Sequence, residues 1–200
     1  MKKLFAILTF CMLALQLHAQ DTDLLKSIET TNSRIQSFEA DLNNTTVKPK
    51  KTTTLLGKLC FVKPYQFAAL FTDNYMIVNE KKVKMDIGLF HGTFKPRNGG
   101  TIQSLANIFL YGFQGRIRDL AKENDYTPTT ETADGLHVIT CTYNKKKLFG
   151  IGYKQVVFKY YTDSLLLKEI VLYDYKGNMD IYTISNVKYD VPVDQSTFDF

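Results

Sequence analysis

Residues suited to acid–base, nucleophilic or metal chemistry are few and scattered along this chain. Beyond residue 20 the only histidines are His91 and His137, and the only cysteines are Cys60 and Cys141. No H-x-x-x-H pair or close cysteine pair accompanies them, which argues against a zinc site, and no serine lies in a G-x-S-x-G turn. A thiol–imidazole pair of Cys60 and His137 is conceivable, but their spacing does not support it. The sequence predicts no catalytic residue, no metal, no cofactor and no enzyme.

One charged residue, Lys63, stands out because it interrupts an apolar row. If residues 57–71 form one strand, period-two alternation places this ammonium among leucine and aromatic side chains. The row consists of Leu59, Phe61, Lys63, Tyr65, Phe67 and Phe71. A charge on a buried face is costly unless something pairs with it. The pattern predicts either an internal partner for Lys63 or a cavity that is not packed solid.

The first 20 residues have the parts of an export signal. Lys2 and Lys3 give the positive start, an apolar run too short for a membrane span extends from Leu4 to Leu17, and Ala19 is a small residue at the expected cleavage site. We predict a signal peptide over residues 1–19 and one soluble periplasmic domain over residues 20–200. An uncleaved anchor is the alternative. Bulky Phe10 argues against lipid attachment at the next residue, Cys11.

Export makes a disulfide between Cys60 and Cys141 chemically possible. Two thiols on separate strands cannot be paired from sequence, and Cys60 lies on the face opposite Lys63. We therefore expect packed, unreacted thiols, with the disulfide as the alternative.

Charge is mild, with a formal net value of +5 that falls to +3 without Lys2 and Lys3. Lysines cluster at 48–51, 81–84 and 145–147, each beside an expected turn. Solvated hairpin tips are one interpretation, and a surface that meets anionic lipid or an acidic partner protein is the other. Nucleic-acid binding is not expected of an exported chain with so weak an excess.

Alternating residues predict an antiparallel meander preceded by a helix that Asp21 or Thr22 caps. The expected strands are 38–46, a long strand that includes 57–71, then 75–78, 83–87, 137–143, 153–161, 165–173 and 179–189. Their β-branched and aromatic content is high. The fold class predicted is α+β, with one strongly curved antiparallel sheet and a few short helices.

The segment 88–115 lacks the alternating pattern of the predicted strands. We expect an irregular stretch up to Gly100, then a helix that Thr101 caps, and another helical piece over 116–122. The first helix is apolar almost all round, since it contains Ile102, Leu105, Ala106, Ile108, Phe109 and Leu110. Glycines at 112 and 115 border it. The pattern is typical of a mobile cover over an apolar surface or of an ordinary core helix.

A strongly bent sheet with helices across its open side can enclose an apolar pocket. Such a pocket suits acyl chains, because each buried methylene contributes about 0.8 kcal/mol without any specific motif. The other interpretation is that the aromatic residues simply fill a core.

Four short segments follow one another in an order typical of a known family. They are Leu24–Phe38, Gly57-x-Leu59-x-x-x-Lys63-Pro64, Tyr75–Lys81 followed by Met85, and Val193-Asp194 with Phe198 and Phe200. They resemble the first helix, a strand motif, the next hairpin and the closing strand of the periplasmic outer-membrane lipoprotein carriers of the LolA type. Together they span nearly the whole chain after the export signal.

This resemblance implies an incomplete β-barrel closed by short helices, which holds lipoprotein acyl chains or another lipid. It implies a monomer, an inner-membrane donor complex and an outer-membrane acceptor. By the same likeness, Lys63 replaces an arginine that holds a helical lid, and lysine lacks the planar fork of arginine. The implied cavity residues are Leu59, Phe61, Phe67 and Phe71, and the implied lid residues are Leu105, Ile108, Phe109 and Leu110.

Two other functions stay open at this point. A sensor of the same fold would bind lipoproteins or lipids and regulate a partner, and a further domain would favour it. A hydrolase with an unrecognised site would show turnover of ester substrates that a single Ser, His or Asp substitution abolishes.

Overall fold

The computed structural model describes residues 23–80, 82–87, 90–95, 101–144 and 152–199. The predicted export signal, the lysine cluster at 145–147 and Phe200 lie outside these ranges. The helices are α1 (residues 23–32), α2 (Thr101–Gln114) and α3 (Ile117–Asn124), and a 3₁₀ turn covers Gln195–Phe198. The strands are β1 (Ser37–Lys48), β2 (Lys51–Val62), β3 (Gln66–Phe71), β4 (Tyr75–Asn79), β5 (Lys82–Ile87), β6 (Phe90–Phe94), β7 (Tyr126–Ala133), β8 (Leu136–Tyr143), β9 (Tyr153–Tyr161), β10 (Leu167–Asp174) and β11 (Met179–Tyr189).

All eleven strands belong to one antiparallel sheet. Its order is β6-β5-β4-β3-β2-β1-β11-β10-β9-β8-β7, so β1 and β11 pair in the middle while β6 and β7 form the two outer edges. No ladder joins these edges in the described part of the chain, and the sheet is curved but unclosed. The predicted α+β class and the incomplete barrel are confirmed.

Period-two alternation in the sequence explains which face of the sheet is inside. In β1, buried residues alternate with partly exposed ones, so Phe38, Ala40 and Leu42 point to the inner face. In β2 the buried residues Leu59 and Phe61 continue that face. Because the period is two, a one-residue slip would expose this whole set.

Helix α2 lies inside the curved sheet. The Phe113 ring contacts Phe61 of β2 and Phe67 of β3, while on the other half of the sheet the Tyr160 hydroxyl of β9 donates to the Gly112 carbonyl over 2.8 Å. One helix therefore contacts both halves of the sheet, which requires the sheet to wrap around it.

Helix α1 packs where α2 turns into α3. Gly115 has φ +67°, and a Cβ placed there would lie 2.8 Å from the Ile28 carbonyl oxygen, so glycine is required for this close approach. Arg118 of α3 and Glu29 of α1 form an ion pair of 2.6 Å.

The prediction of one long strand over residues 57–71 was wrong. A turn at Lys63, Pro64 and Tyr65 breaks it into β2 and β3, which pair with each other so that Phe61 lies opposite Phe67. Proline has no N–H to donate to a ladder, which favours a turn over a continuous strand. The expected alternation failed at Tyr65, which is 49% exposed.

The outer strands were also missed. Phe90–Phe94, expected to be irregular, pairs with β5, and Tyr126–Ala133, for which no element was predicted, pairs with β8. Both are edge strands with weak apolar alternation. The bounds of helix α3, Ile117–Asn124, differ by one or two residues from those of the helical piece predicted at 116–122.

The 3₁₀ turn covers part of the outer face of the sheet. Phe198 is 1% exposed and packs with Ala68 and Ile77, and the Asn79 side-chain amide donates to its carbonyl. Within the described ranges, no helix has the length and apolar character needed to cross a membrane.

Candidate functional site

The candidate site is the interface between α2 and the inner face of the sheet. Five phenylalanines, which we call the inner aromatic cluster, meet there: Phe38, Phe61, Phe67, Phe109 and Phe113. Ring centroids are 5.2 Å apart for Phe38 and Phe61, and 5.4 to 5.7 Å from Phe113 to the three sheet phenylalanines. Offset and edge-to-face pairs at these spacings are favourable beyond their burial.

A small, partly open crevice borders this cluster on the side toward α1, and its space of about 10 Å³ is roughly that needed for one water molecule. Its lining is almost wholly apolar, with residues Asn32, Ile35, Phe38, Phe113, Leu167, Ile184, Val187 and Tyr189. Asn32 is buried, and its side-chain amide donates to the carbonyls of Ile28 and Leu165 at 2.8 Å each. Its amide thus joins the end of α1 to the turn between β9 and β10.

The predicted cavity residues lie on the inner face. Leu59, Phe61 and Phe67 are at most 1% exposed, and Phe71 is partly buried at the end of β3. They face the packed helix α2, which fills the curve of the sheet.

The predicted lid residues all lie on α2. Ile108, Phe109 and Leu110 are buried and Leu105 is partly buried. Phe109 reaches both halves of the sheet, since its ring lies 5.5 Å from Phe67 of β3 and 4.9 Å from Tyr182 of β11. The helix is therefore positioned as a plug inside the sheet.

The internal partner expected for Lys63 exists, but it does not lie on α2, the helix predicted to be the lid. The half-buried Lys63 Nζ donates to the Ser33 carbonyl oxygen over 2.6 Å, in the turn that follows α1. A cation suits this place because carbonyl groups at a helix C-terminus lack intrahelical donors. The contact between the hairpin and α2 is made instead by Gln114, whose side-chain amide donates to the Pro64 carbonyl over 2.9 Å.

Sequence reasoning missed several residues of this site. Phe113 follows Phe109 by four positions, and this spacing places both on one side of a helix that extends past Leu110. Phe38 begins the alternating row of β1. Gln114 and Tyr182 carried no comparable pattern, since their contacts depend on how the helix crosses the sheet.

The groups with possible chemistry do not converge. His91 bonds to Asp86 on β5 and His137 to Thr132 on β7. Both cysteines are free thiols, and burial raises the pKa of Cys141 to about 12, which disfavours the reactive thiolate. Cys60 on β2 and His137 on β8 lie on opposite halves of the sheet. No group of metal-ligating side chains occurs among the described residues.

An open antiparallel sheet wrapped around one apolar helix defines the class of fold, and comparison with solved structures finds similar ones. An uncharacterized conserved protein from Thermus thermophilus matches with a TM-score of 0.50 at 11% identity, over 90% of this chain and 94% of that one. A DUF1329 family protein from Desulfovibrio piger has a TM-score of 0.48 at 15% identity, over 88% and 95%. A LolA superfamily protein from Nitrosomonas europaea has a TM-score of 0.43 at 12% identity, over 88% and 97%.

Identities this low restrict the likeness to the fold. The architecture implied by the resemblance of the sequence to LolA-type carriers is the architecture observed. No protein-family model and no curated protein matches the sequence.

Proposed function

We propose that this protein is a periplasmic carrier that holds the acyl chains of lipoproteins, or of related lipids, between α2 and the inner face of the sheet. One observation carries the proposal: an apolar helix occupies the concave side of an unclosed sheet. The surfaces that α2 and the sheet present to each other are the surfaces an acyl chain requires.

The helix is arranged to move as a lid about its C-terminal end. Two hydrogen bonds, from Tyr160 to Gly112 and from Gln114 to Pro64, tie its last turn to the sheet. Gly115, at a positive φ, follows directly. Swinging the other end outward uncovers Phe67 and Tyr182, which Phe109 contacts in the closed state, to an entering chain.

The free energy gained by burying an acyl chain offsets the free energy lost when α2 opens. Displacing the free part of α2 removes the contacts of the buried Ile108 and Phe109, and large buried side chains contribute on the order of 2 to 5 kcal/mol each. A chain of ten buried methylenes contributes about 8 kcal/mol in return. The two terms are similar in size, so binding and release both remain accessible without nucleotide hydrolysis.

Delivery then follows from differences in affinity. An inner-membrane donor complex that favours the open state loads the carrier, and an outer-membrane acceptor with higher affinity for the chain unloads it. The carrier acts as a monomer.

The absence of tryptophan from the sequence permits a direct test. Phe109→Trp places a single fluorophore between α2 and the sheet, and Tyr161→Trp places one at a position that is 39% exposed. We expect a bromine-substituted fatty acid to quench the fluorescence of the Phe109→Trp variant saturably and to leave that of the Tyr161→Trp control nearly unchanged. Equal quenching of both variants, or none at all, would show that acyl chains do not enter beneath α2.

A further inference from the structure

Half of strand β2 forms an open edge of the sheet. Residues Lys51–Leu56 pair with β1 on one side, while the ladder with β3 begins only at Gly57. All six residues are exposed, and no strand in the described ranges pairs with their other side. The β1–β2 hairpin therefore extends beyond the body of the sheet.

The register determines which backbone groups face this edge. The Lys63 amide donates to the Gln36 carbonyl over 2.8 Å, and the register with β1 runs without a bulge from there to the hairpin turn. In an antiparallel ladder, alternate residues bond to the same neighbour. Residues 51, 53 and 55 thus bond to β1, and Thr52, Thr54 and Leu56 direct their N–H and C=O groups outward.

Beyond Lys51, this edge lacks the features that usually prevent strand addition. Natural edges carry charged residues, proline or bulges, yet Thr52 to Leu56 contains none of them. Threonine favours strands. Leu55 and Leu56 are 40% and 74% exposed, and they alternate to the two faces where side chains of an added strand would lie.

The positive charge around the edge favours an acidic partner. From Leu42 to Thr72 the sequence has no Asp or Glu but has lysines at 48, 50, 51, 58 and 63. Lys58 pairs with Asp41 and Lys63 with the Ser33 carbonyl, whereas Lys48, Lys50 and Lys51 stand exposed at the hairpin tip. A second copy of the chain is disfavoured, because antiparallel self-pairing centred on Thr54 would set Lys50 beside Lys58 of the copy.

We propose that this edge of β2 binds an extended acidic segment of a partner protein as an additional strand. Outward groups that are both donors and acceptors match another peptide backbone, whereas the phosphates of an anionic lipid surface only accept hydrogen bonds. The interaction does not depend on the proposed lipid cargo, since the edge lies outside the α2 interface.

Binding of a labelled synthetic peptide that alternates Glu and Val, followed by fluorescence anisotropy, tests the proposal. Thr54→Pro removes an outward N–H that β1 does not use, so the variant should fold, as its urea midpoint will show. We expect its affinity for the peptide to fall about tenfold, as expected for loss of a backbone hydrogen bond. The matched Thr54→Val variant keeps the N–H and should bind like the parent.

Hydrogen exchange followed by NMR gives an independent measure. The amides of Thr52, Thr54 and Leu56 should exchange rapidly in the free protein and slowly with the peptide, while those of Thr53 and Leu55 stay protected throughout. The proposal is overturned if the outward amides are already protected without peptide, because the chain itself would then cover the edge. It is equally overturned if Thr54→Pro binds like the parent, or if a Lys and Val peptide binds as well as the acidic one.

Discussion

Lys63 shows how one side chain can be important for a reason different from the one its position in the sequence indicates. Its place in an apolar row predicted an internal partner, and the Ser33 carbonyl is that partner. The resemblance assigned it to the lid, but its described hydrogen bond connects the β2–β3 turn to the end of α1. Any effect of Lys63 on the lid is thus indirect and passes through Pro64, which accepts from Gln114.

Replacing Lys63 with Met should lower the free energy of unfolding by about 1 kcal/mol, because the Ser33 carbonyl loses its donor while most of the aliphatic stem is kept. Urea denaturation measures this change. Lys58→Met is the matched control, since that side chain is 72% exposed and its pair with Asp41 is screened by solvent. Equal midpoints for the parent and Lys63→Met would show that the bond contributes nothing.

At the scale of elements, Gly112 sets how closely α2 approaches the sheet. A Cβ at this position would lie 2.8 Å from the ring of Phe158 and 3.2 Å from Ile170. Both side chains are fully buried, so neither yields easily. A small residue is needed here for the helix to seat inside the curve.

Gly112→Val should therefore push α2 away from β9 and β10, at a cost of about 2 kcal/mol in stability. We expect a lower urea midpoint and increased fluorescence of a hydrophobic dye that binds the uncovered face. Lys122→Val introduces the same side chain at an exposed site of α3 and should change little. Unchanged dye binding by Gly112→Val would mean that α2 stays seated.

The 3₁₀ turn has its own pH dependence. The Ser196 backbone N–H donates to the Asp194 carboxylate and lowers its pKa. A carboxyl whose pKa is lower folded than unfolded stabilises the protein fully above about pH 4, and this contribution is lost as the pH falls through the folded value.

Asp194→Asn keeps an oxygen acceptor for Ser196 but cannot titrate. We expect the stability of this variant to fall less than that of the parent between about pH 5 and pH 2, when urea midpoints are compared across this range. Parallel curves for the two proteins would show that the Asp194 carboxylate does not respond to folding.

At the scale of the whole molecule, local patterns predicted most strands of the sheet and where along the chain the apolar helix α2 lies. The alternation of β1 marks one buried face, and high β-branched and aromatic content marks β4 and β8 to β11 as strands. The break at Pro64 was missed because Phe67 and Phe71 continue the apolar alternation beyond the turn. The edge strands β6 and β7 were missed because a strand with one neighbour and little burial needs few apolar residues.

Such local patterns could not predict that α2 fills the interior of the sheet, for a different reason. Periodicity tells which residues of α2 and of the sheet are apolar, but not that the helix lies within the curve. That fact depends on Gly112, Phe113 and Gln114, whose contacts lie 45 or more positions away in sequence, such as Tyr160, Phe61 and Pro64. Only the assembled fold brings these residues together.

Because β6 and β7 do not pair, the width of the sheet's interior is not fixed as it is in a closed barrel. In a closed barrel, strand number and stagger fix the bore, and a wider guest cannot enter without breaking ladder hydrogen bonds. Here the two rims can move apart or together through a change of twist alone. For the proposed carrier, we therefore expect a change in the coiling of the strands to accommodate acyl chains of different length and number.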